Sequence, residues 1–220
     1  MTLSLSTSPS VVDGVRERAF AVDDIPGLIW DAGEGPGSRP LVLLAHGGGQ
    51  HKAAPGITAR AWRFVAELGA TAVAIDAPGH GDRPRDPELA TQGAGAAAEW
   101  RTVLDGLAEA DLGTGAVGFW GVSMGCATGI ALVAAEPRIT AAVLGLAGGD
   151  GLATLAARIT VPVEFVVQWD DELVPRESAL ALFDAFGSAD KSLHANAGGH
   201  LALPRFEVDS AVRFFARHLG

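Results

Sequence analysis

The residues best suited to covalent chemistry stand in short stretches far apart in the chain. Gly121-Val122-Ser123-Met124-Gly125 fits G-x-S-x-G, a pattern that presents a serine hydroxyl as nucleophile when a strand precedes it and a helix follows. Chance supplies roughly 0.17 such matches in a chain with 29 glycines, so the pattern counts only in context. The context fits: the apolar run AVGFW at 116–120 comes before it and the helical CATGIALVAAE at 126–136 comes after. The flanking glycines leave room for a sharp turn. A serine between strand and helix would also serve as a plain helix N-cap, so the other stretches decide the matter.

His46-Gly47-Gly48-Gly49 follows the apolar PLVLLA at 40–45. Acyl transfer needs N–H donors aimed where negative charge develops on the carbonyl oxygen, and the amides of Gly48 and Met124 are the pair chosen here. A phosphate loop is excluded by spacing, because GGGQHK at 47–52 lacks G-x-x-x-x-G-K-[ST]. Among the six histidines, His200 is the candidate base. Its neighbours Gly198 and Gly199 are small enough to let the imidazole swing over a sheet edge. His46 and His80, in glycine turns, are expected to bond to backbone. His51 is assigned to the substrate pocket, His194 to a strand, and His218 to a helix end, where a cation suits the dipole.

The orienting acid is sought in Gln168-Trp169-Asp170-Asp171-Glu172-Leu173-Val174-Pro175. Asp170 or Asp171 could fix the tautomer of His200 and stabilise its cation, leaving the other to cap the next helix. Asp76, Asp82 and Asp150 are rivals. No metal pattern emerges: His46 and His51 share a glycine loop, HExxH is missing, and Cys126 is the one cysteine. Neither a metal nor an organic cofactor is expected.

These clusters need a scaffold that brings them together. Apolar runs at 40–46, 71–76, 115–120, 139–147 and 161–168 read as buried strands of a parallel sheet covered on both faces. Segments 57–68, 90–110, 124–136 and 174–187 read as helices between them. A strand at 190–195 and a helix at 205–218, with Pro204 in its first turn, close the chain. Segments 16–22 and 27–31 read as an antiparallel pair. Alternation of this kind predicts a three-layer, doubly wound α/β fold in one domain, 1–220. Ligands of such sheets bind beyond the carboxyl ends of the strands, where every cluster above falls.

With these residues in place, the sequence resembles the α/β-hydrolase superfamily from about residue 25 onward. The matching stretches are HGGG at 46–49, DAPGHGD at 76–82, GVSMG at 121–125, DDELVP at 170–175 and GGH at 198–200. Nucleophile, acid and base in that chain order are the family's order. The family's acid stands in D-x-x-V-P, so the resemblance implies Asp171 as acid, with Ser123 as nucleophile and His200 as base. It also implies hydrolysis through an acyl-enzyme. Only residues 148–160 separate two predicted strands, too few for a large helical cap, so the chain resembles compact, lidless members such as small esterases and dienelactone-hydrolase-like enzymes. Dienelactone hydrolases carry cysteine where this chain has Ser123.

Trp120, Trp169, Trp62 and His51 flank these stretches and are the candidate substrate-binding residues; the Met124 side chain is another wall candidate. Arg83 and Arg85 could meet an anionic substrate group. A net charge of −10 disfavours nucleic acid or an anionic membrane as partner. The expected partner is a small-molecule ester, and the chain is expected to be a monomer or a small homo-oligomer. A single cysteine and an N-terminus without a basic head and apolar run lead to a cytoplasmic expectation. A thioesterase or acyltransferase would use the same triad, and a binding protein could keep the fold without the chemistry.

Overall fold

The computed structural model describes residues 2–33, 39–84, 93–149 and 151–220. One ten-stranded sheet organises them. Four strands open the chain: β1 (Leu3–Leu5), β2 (Ser10–Val12), β3 (Val15–Val22) and β4 (Ile25–Asp31). They pair antiparallel, β1 and β2 both on β3 and β3 on β4. The β3–β4 hairpin closes on Asp23 and Asp24, with Asp23 at φ 51°. Its two arms are the expected antiparallel pair. The three-residue β1 and β2 have no counterpart in the sequence reading.

The parallel part comprises β5 (Leu41–Ala45), β6 (Thr71–Ile75), β7 (Val117–Val122), β8 (Ile139–Gly145), β9 (Val163–Gln168) and β10 (Lys191–Asn196). The spatial order is β6-β5-β7-β8-β9-β10, with β4 antiparallel on the outer side of β6. The apolar runs of β5 to β9 follow from burial on both faces, whereas the edge strand β10, KSLHAN, is only partly buried. Leu41, Leu43 and Ala45 enter one core while Val42 and Leu44 enter the other, as a period of two requires. Phe119 and Trp120 split the same way on β7.

Among the described residues, six helices cover the faces: α1 (Pro55–Leu68), α2 (Gly93–Glu109), α3 (Met124–Val133), α4 (Ala153–Ala156), α5 (Arg176–Ala185) and α6 (Phe206–Leu219). α1 begins with Pro55 in its first turn and ends at Gly69, whose φ of 63° suits glycine. α6 has Glu207 and Asp209 in its first turn and Arg217 and His218 in its last, matching the helix dipole. Pro204 stands ahead of its cap, Arg205, rather than inside the first turn. Between β8 and β9 the described residues hold only the four-residue α4, and among them no large cap covers the carboxyl ends of the strands. No helix among the described residues is long and apolar enough to cross a membrane.

Candidate active site

Ser123 occupies the turn between β7 and α3 with φ 58° and ψ −123°, a region that side-chain-bearing residues rarely enter. Two glycines make the turn possible. A Cβ on Gly121 would stand 2.6 Å from the carbonyl oxygen of Gly125, and one on Gly125 would stand 2.4 Å from that of Ala45. Ser123 precedes the first turn of α3, yet its side chain caps no helical amide. Its Oγ lies 2.9 Å from Nε2 of His200. The N-cap alternative is therefore not what this hydroxyl does.

His200 follows β10, and its Nδ1 lies 2.7 Å from Oδ2 of Asp171. Asp171 follows β9, and its other oxygen accepts the amides of Leu173 at 2.8 Å and Val174 at 2.9 Å. Burial works to raise its pKa, but the bonds from His200, Val174 and Leu173 outweigh it and hold the carboxyl below its ordinary value. An ionised Asp171 fixes the proton of His200 on Nδ1 and leaves Nε2 as acceptor for the serine proton. Three segments separated by up to 77 residues thus form one hydrogen-bonded chain.

Asp170 does not share that role. Its carboxylate accepts the amide of Gly198 at 3.2 Å. Glu172 accepts the amide of His200 at 3.0 Å, and Gln168 donates to the carbonyl of Gly199 at 3.2 Å. Residues 168, 170 and 172 thereby clamp the loop that carries the imidazole. Sequence reasoning passed over Glu172; the signal was an acidic run facing a glycine-rich loop full of unpaired amides.

The rival acids are engaged elsewhere. Asp76 is fully buried and accepts the Lys52 ammonium at 2.6 Å, the Lys52 amide at 2.8 Å and the Asp82 amide at 2.9 Å. Asp82 takes the same ammonium at 2.6 Å. Asp150 lies outside the described residues. His46 uses Nδ1–H toward the carbonyl of Gly47 and accepts the Ala77 amide on Nε2; burial lowers its pKa, which suits that neutral form. His80 bonds to the carbonyl of Pro78. Both fit the expectation of backbone partners.

Ser123 and His200 open onto a cleft of about 430 Å³ whose lining includes Gly47, Gly48, Gln50, Ile57, Arg60 and Trp120 together with Leu173, Leu201 and Leu203. Among the described residues, the amides of Gly48 and Met124 donate to no other protein group. Of the predicted pocket residues, Trp120 lines the cleft and three others do not. Trp62 faces away, on a separate groove with Val12 and Trp30, because two helical residues past Arg60 point roughly 200° around α1. Trp169 is 38% exposed beneath the Arg176 guanidinium. His51 is exposed outside the cleft wall. The Met124 side chain enters a small void beside His46 and Trp100 instead. Arg83 pairs with Glu99, away from the cleft, and Arg85 lies outside the described residues.

Cys126 is buried, and burial pushes its thiol up to about 12, which removes it as a nucleophile. Glu164, His194 and Glu207 are the one group among the described residues with three atoms close enough to suggest metal ligation. They are already bonded among themselves and to neighbours: His194 to Glu207 at 2.9 Å, Asn196 to Glu207 at 2.8 Å and Ser210 to Glu164 at 2.9 Å. None of them lines the cleft.

A mostly parallel, uncapped sheet with a serine elbow, an acidic loop and a late histidine defines the hydrolase class of α/β proteins. The alpha/beta hydrolase family model matches residues 42–218, and the chain belongs to that family. A cold-adapted esterase from an Arctic intertidal metagenomic library, in its PEG-bound form, is 37% identical over 99% of this chain and 100% of its own, with a TM-score of 0.88. The acetyl xylan esterase from Paenibacillus sp. R4 is 15% identical over 99% of this chain and 88% of its own, with a TM-score of 0.75. Est1E from Butyrivibrio proteoclasticus, with ferulic acid bound, is 18% identical over 89% and 96%, with a TM-score of 0.73; at that identity it and the xylan esterase speak for the fold. No curated protein matches the chain significantly.

Proposed function

We propose that the protein is a serine esterase that cleaves small carboxylic esters through an acyl-enzyme on Ser123. The observation that carries this reading is the unbroken hydrogen-bonded chain from Ser123 Oγ through His200 to Asp171. The 37% identity to an esterase along the full chain supports it. His200 Nε2 takes the hydroxyl proton while Oγ bonds to the ester carbonyl carbon, whose π electrons move onto oxygen. The Gly48 and Met124 amides donate to that oxyanion. Collapse restores the carbonyl and breaks the ester C–O bond, and the imidazolium returns its proton to the departing alkoxide. Water then repeats the sequence on the acyl-serine and releases the acid and the free hydroxyl. Asp171 stays ionised throughout and stabilises the imidazolium.

The test is labelling by a fluorophosphonate probe alongside turnover of p-nitrophenyl esters. Ser123 should be the labelled residue, and Ser123→Ala should lose both label and turnover, by roughly 10⁴-fold or more in kcat. A folded wild-type protein that leaves the probe untouched would favour a binding protein instead. Acyl thioesters and added alcohol acceptors in the same panel separate hydrolysis of oxygen esters from thioester cleavage and acyl transfer.

A further inference from the structure

Arg60 is the one Lys or Arg among the described residues that wall the cleft, and no Asp or Glu lines it. The residue lies on α1, where Gly56, Ile57 and Arg60 recur at the spacing of one helical face and all three reach the cleft. Its guanidinium carbon stands 4.3 Å over the ring of Trp120, a cation–π contact with a residue that also lines the cleft. One N–H is satisfied by the carbonyl of Gly56 at 2.7 Å. No carboxylate takes the others among the described residues, whereas Arg16, Arg18, Arg63, Arg83 and Arg138 all do have carboxylate partners. Desolvation without a counter-charge pulls the Arg60 pKa down to about 10, so it remains a cation at neutral pH. A half-buried, uncompensated cation facing the same cleft as the nucleophile is costly to the fold. A substrate anion would compensate it.

We infer that Arg60 forms an anion subsite of this cleft and that the preferred ester carries a carboxylate in addition to the bond that is cut. The inference rests on the esterase reading. A single planar guanidinium over Trp120, in a cleft that Ile57 and Leu203 also line and where no second cation stands, matches a planar monoanion. A phosphate dianion would call for more than one cation, and the net charge of −10 leaves no broad positive field to attract one. The anion is therefore selected by a local contact. Arg83 and Arg176, also at this end of the sheet, are occupied by Glu99 and by the Trp169 carbonyl, and neither lines the cleft.

The experiment compares two matched pairs of esters, so that the carboxylate is probed on either side of the scissile bond. One pair is the p-nitrophenyl monoester of glutaric acid against p-nitrophenyl pentanoate. The other is the butyrate ester of para-hydroxybenzoic acid against that of its methyl ester. In the wild type, kcat/KM should favour the acid in at least one pair, chiefly through KM. Arg60→Met, which keeps the packing on Trp120, should reduce that ratio by about tenfold or more, as loss of a charge-assisted bond does. Arg60→Lys should restore part of it. A ratio in both pairs that is the same in Arg60→Met as in wild type would overturn the subsite. Binding of glutarate and para-hydroxybenzoate to Ser123→Ala, followed by calorimetry with and without Arg60→Met, reads the subsite without turnover. Should the fluorophosphonate leave Ser123 unlabelled, the esterase reading falls, while this binding comparison still decides for or against the anion site.

Discussion

At the scale of the residue, the position of the proposed nucleophile is maintained against the backbone's preference. Ser123 has φ 58° and ψ −123°, a strained combination that costs on the order of 1–3 kcal/mol for a residue with a Cβ. Packing of Gly121 and Gly125 against neighbouring carbonyls enforces it. Ser123→Gly and Ser123→Ala both delete the bond to His200, so their difference isolates the backbone. Glycine relieves the strain but gains about 0.4–1 kcal/mol of unfolded-state entropy to lose. Ser123→Gly should therefore be the more stable of the two by about 1 kcal/mol in urea unfolding; equal midpoints and slopes would refute the strain. The same physics explains which residues were legible in the sequence. The elbow, the 46–49 loop and the histidine loop are marked by glycines, among them Gly121 and Gly125, where a Cβ would strike backbone, and Gly49 and Gly198, whose φ is positive. Arg60 was missed and Trp62 was chosen because aromatic type was given more weight than helical phase. Counting by three and four from Gly56 and Ile57 would have reached Arg60.

At the scale of the element, the loop after β5 and the turn after β6 are held in place by Lys52 and Asp76. This pair was illegible in the sequence, since lysine is ordinarily exposed and nothing in GGGQHK marks it as buried. The central strands β5 to β8 were legible because burial on both faces leaves them apolar almost throughout; β1 and β2 are too short and too exposed to carry a period. Burial raises the Asp76 pKa, but the Asp82 amide and the Lys52 ammonium and amide overcome this and lower it below 3.8. A depressed carboxylate contributes stability at pH values above its unfolded pKa, and that contribution is lost as the pH falls through the folded value. Lys52→Met keeps the aliphatic stem but leaves Asp76 as a buried charge without its cation. It should cost about 3–5 kcal/mol at neutral pH. The gap from wild type should narrow as acid protonates Asp76 in both proteins. Denaturant melts at a series of pH values check this, and a gap that widens on acidification would contradict the assigned pairing.

At the scale of the whole molecule, one sheet separates two cores without making them independent. Leu41 and Leu43 face one side and Val42 and Leu44 the other, and Phe119 and Trp120 divide in the same way on β7. Melting either core would strip one face from strands whose backbone bonds hold the opposite face together. The carboxyl ends of β7, β9 and β10 carry Ser123, Asp171 and His200, so the proposed triad exists only while those strands stay in register. Tryptophans report on both sides: Trp30 and Trp120 are buried in the core beneath α1 and α6, and Trp100 in the core beneath α2 and α3. Unfolding should therefore be a single transition, with tryptophan fluorescence, far-ultraviolet circular dichroism and loss of fluorophosphonate labelling superimposed on one denaturant axis. Within each variant that leaves only Trp30 and Trp120, or only Trp100, fluorescence and circular dichroism should share one midpoint. If the fluorescence midpoint departed from the circular dichroism midpoint in either variant, the cores would be separable units. Labelling would then follow whichever core melted first, because β7, which leads into Ser123, sends Phe119 into one core and Trp120 into the other.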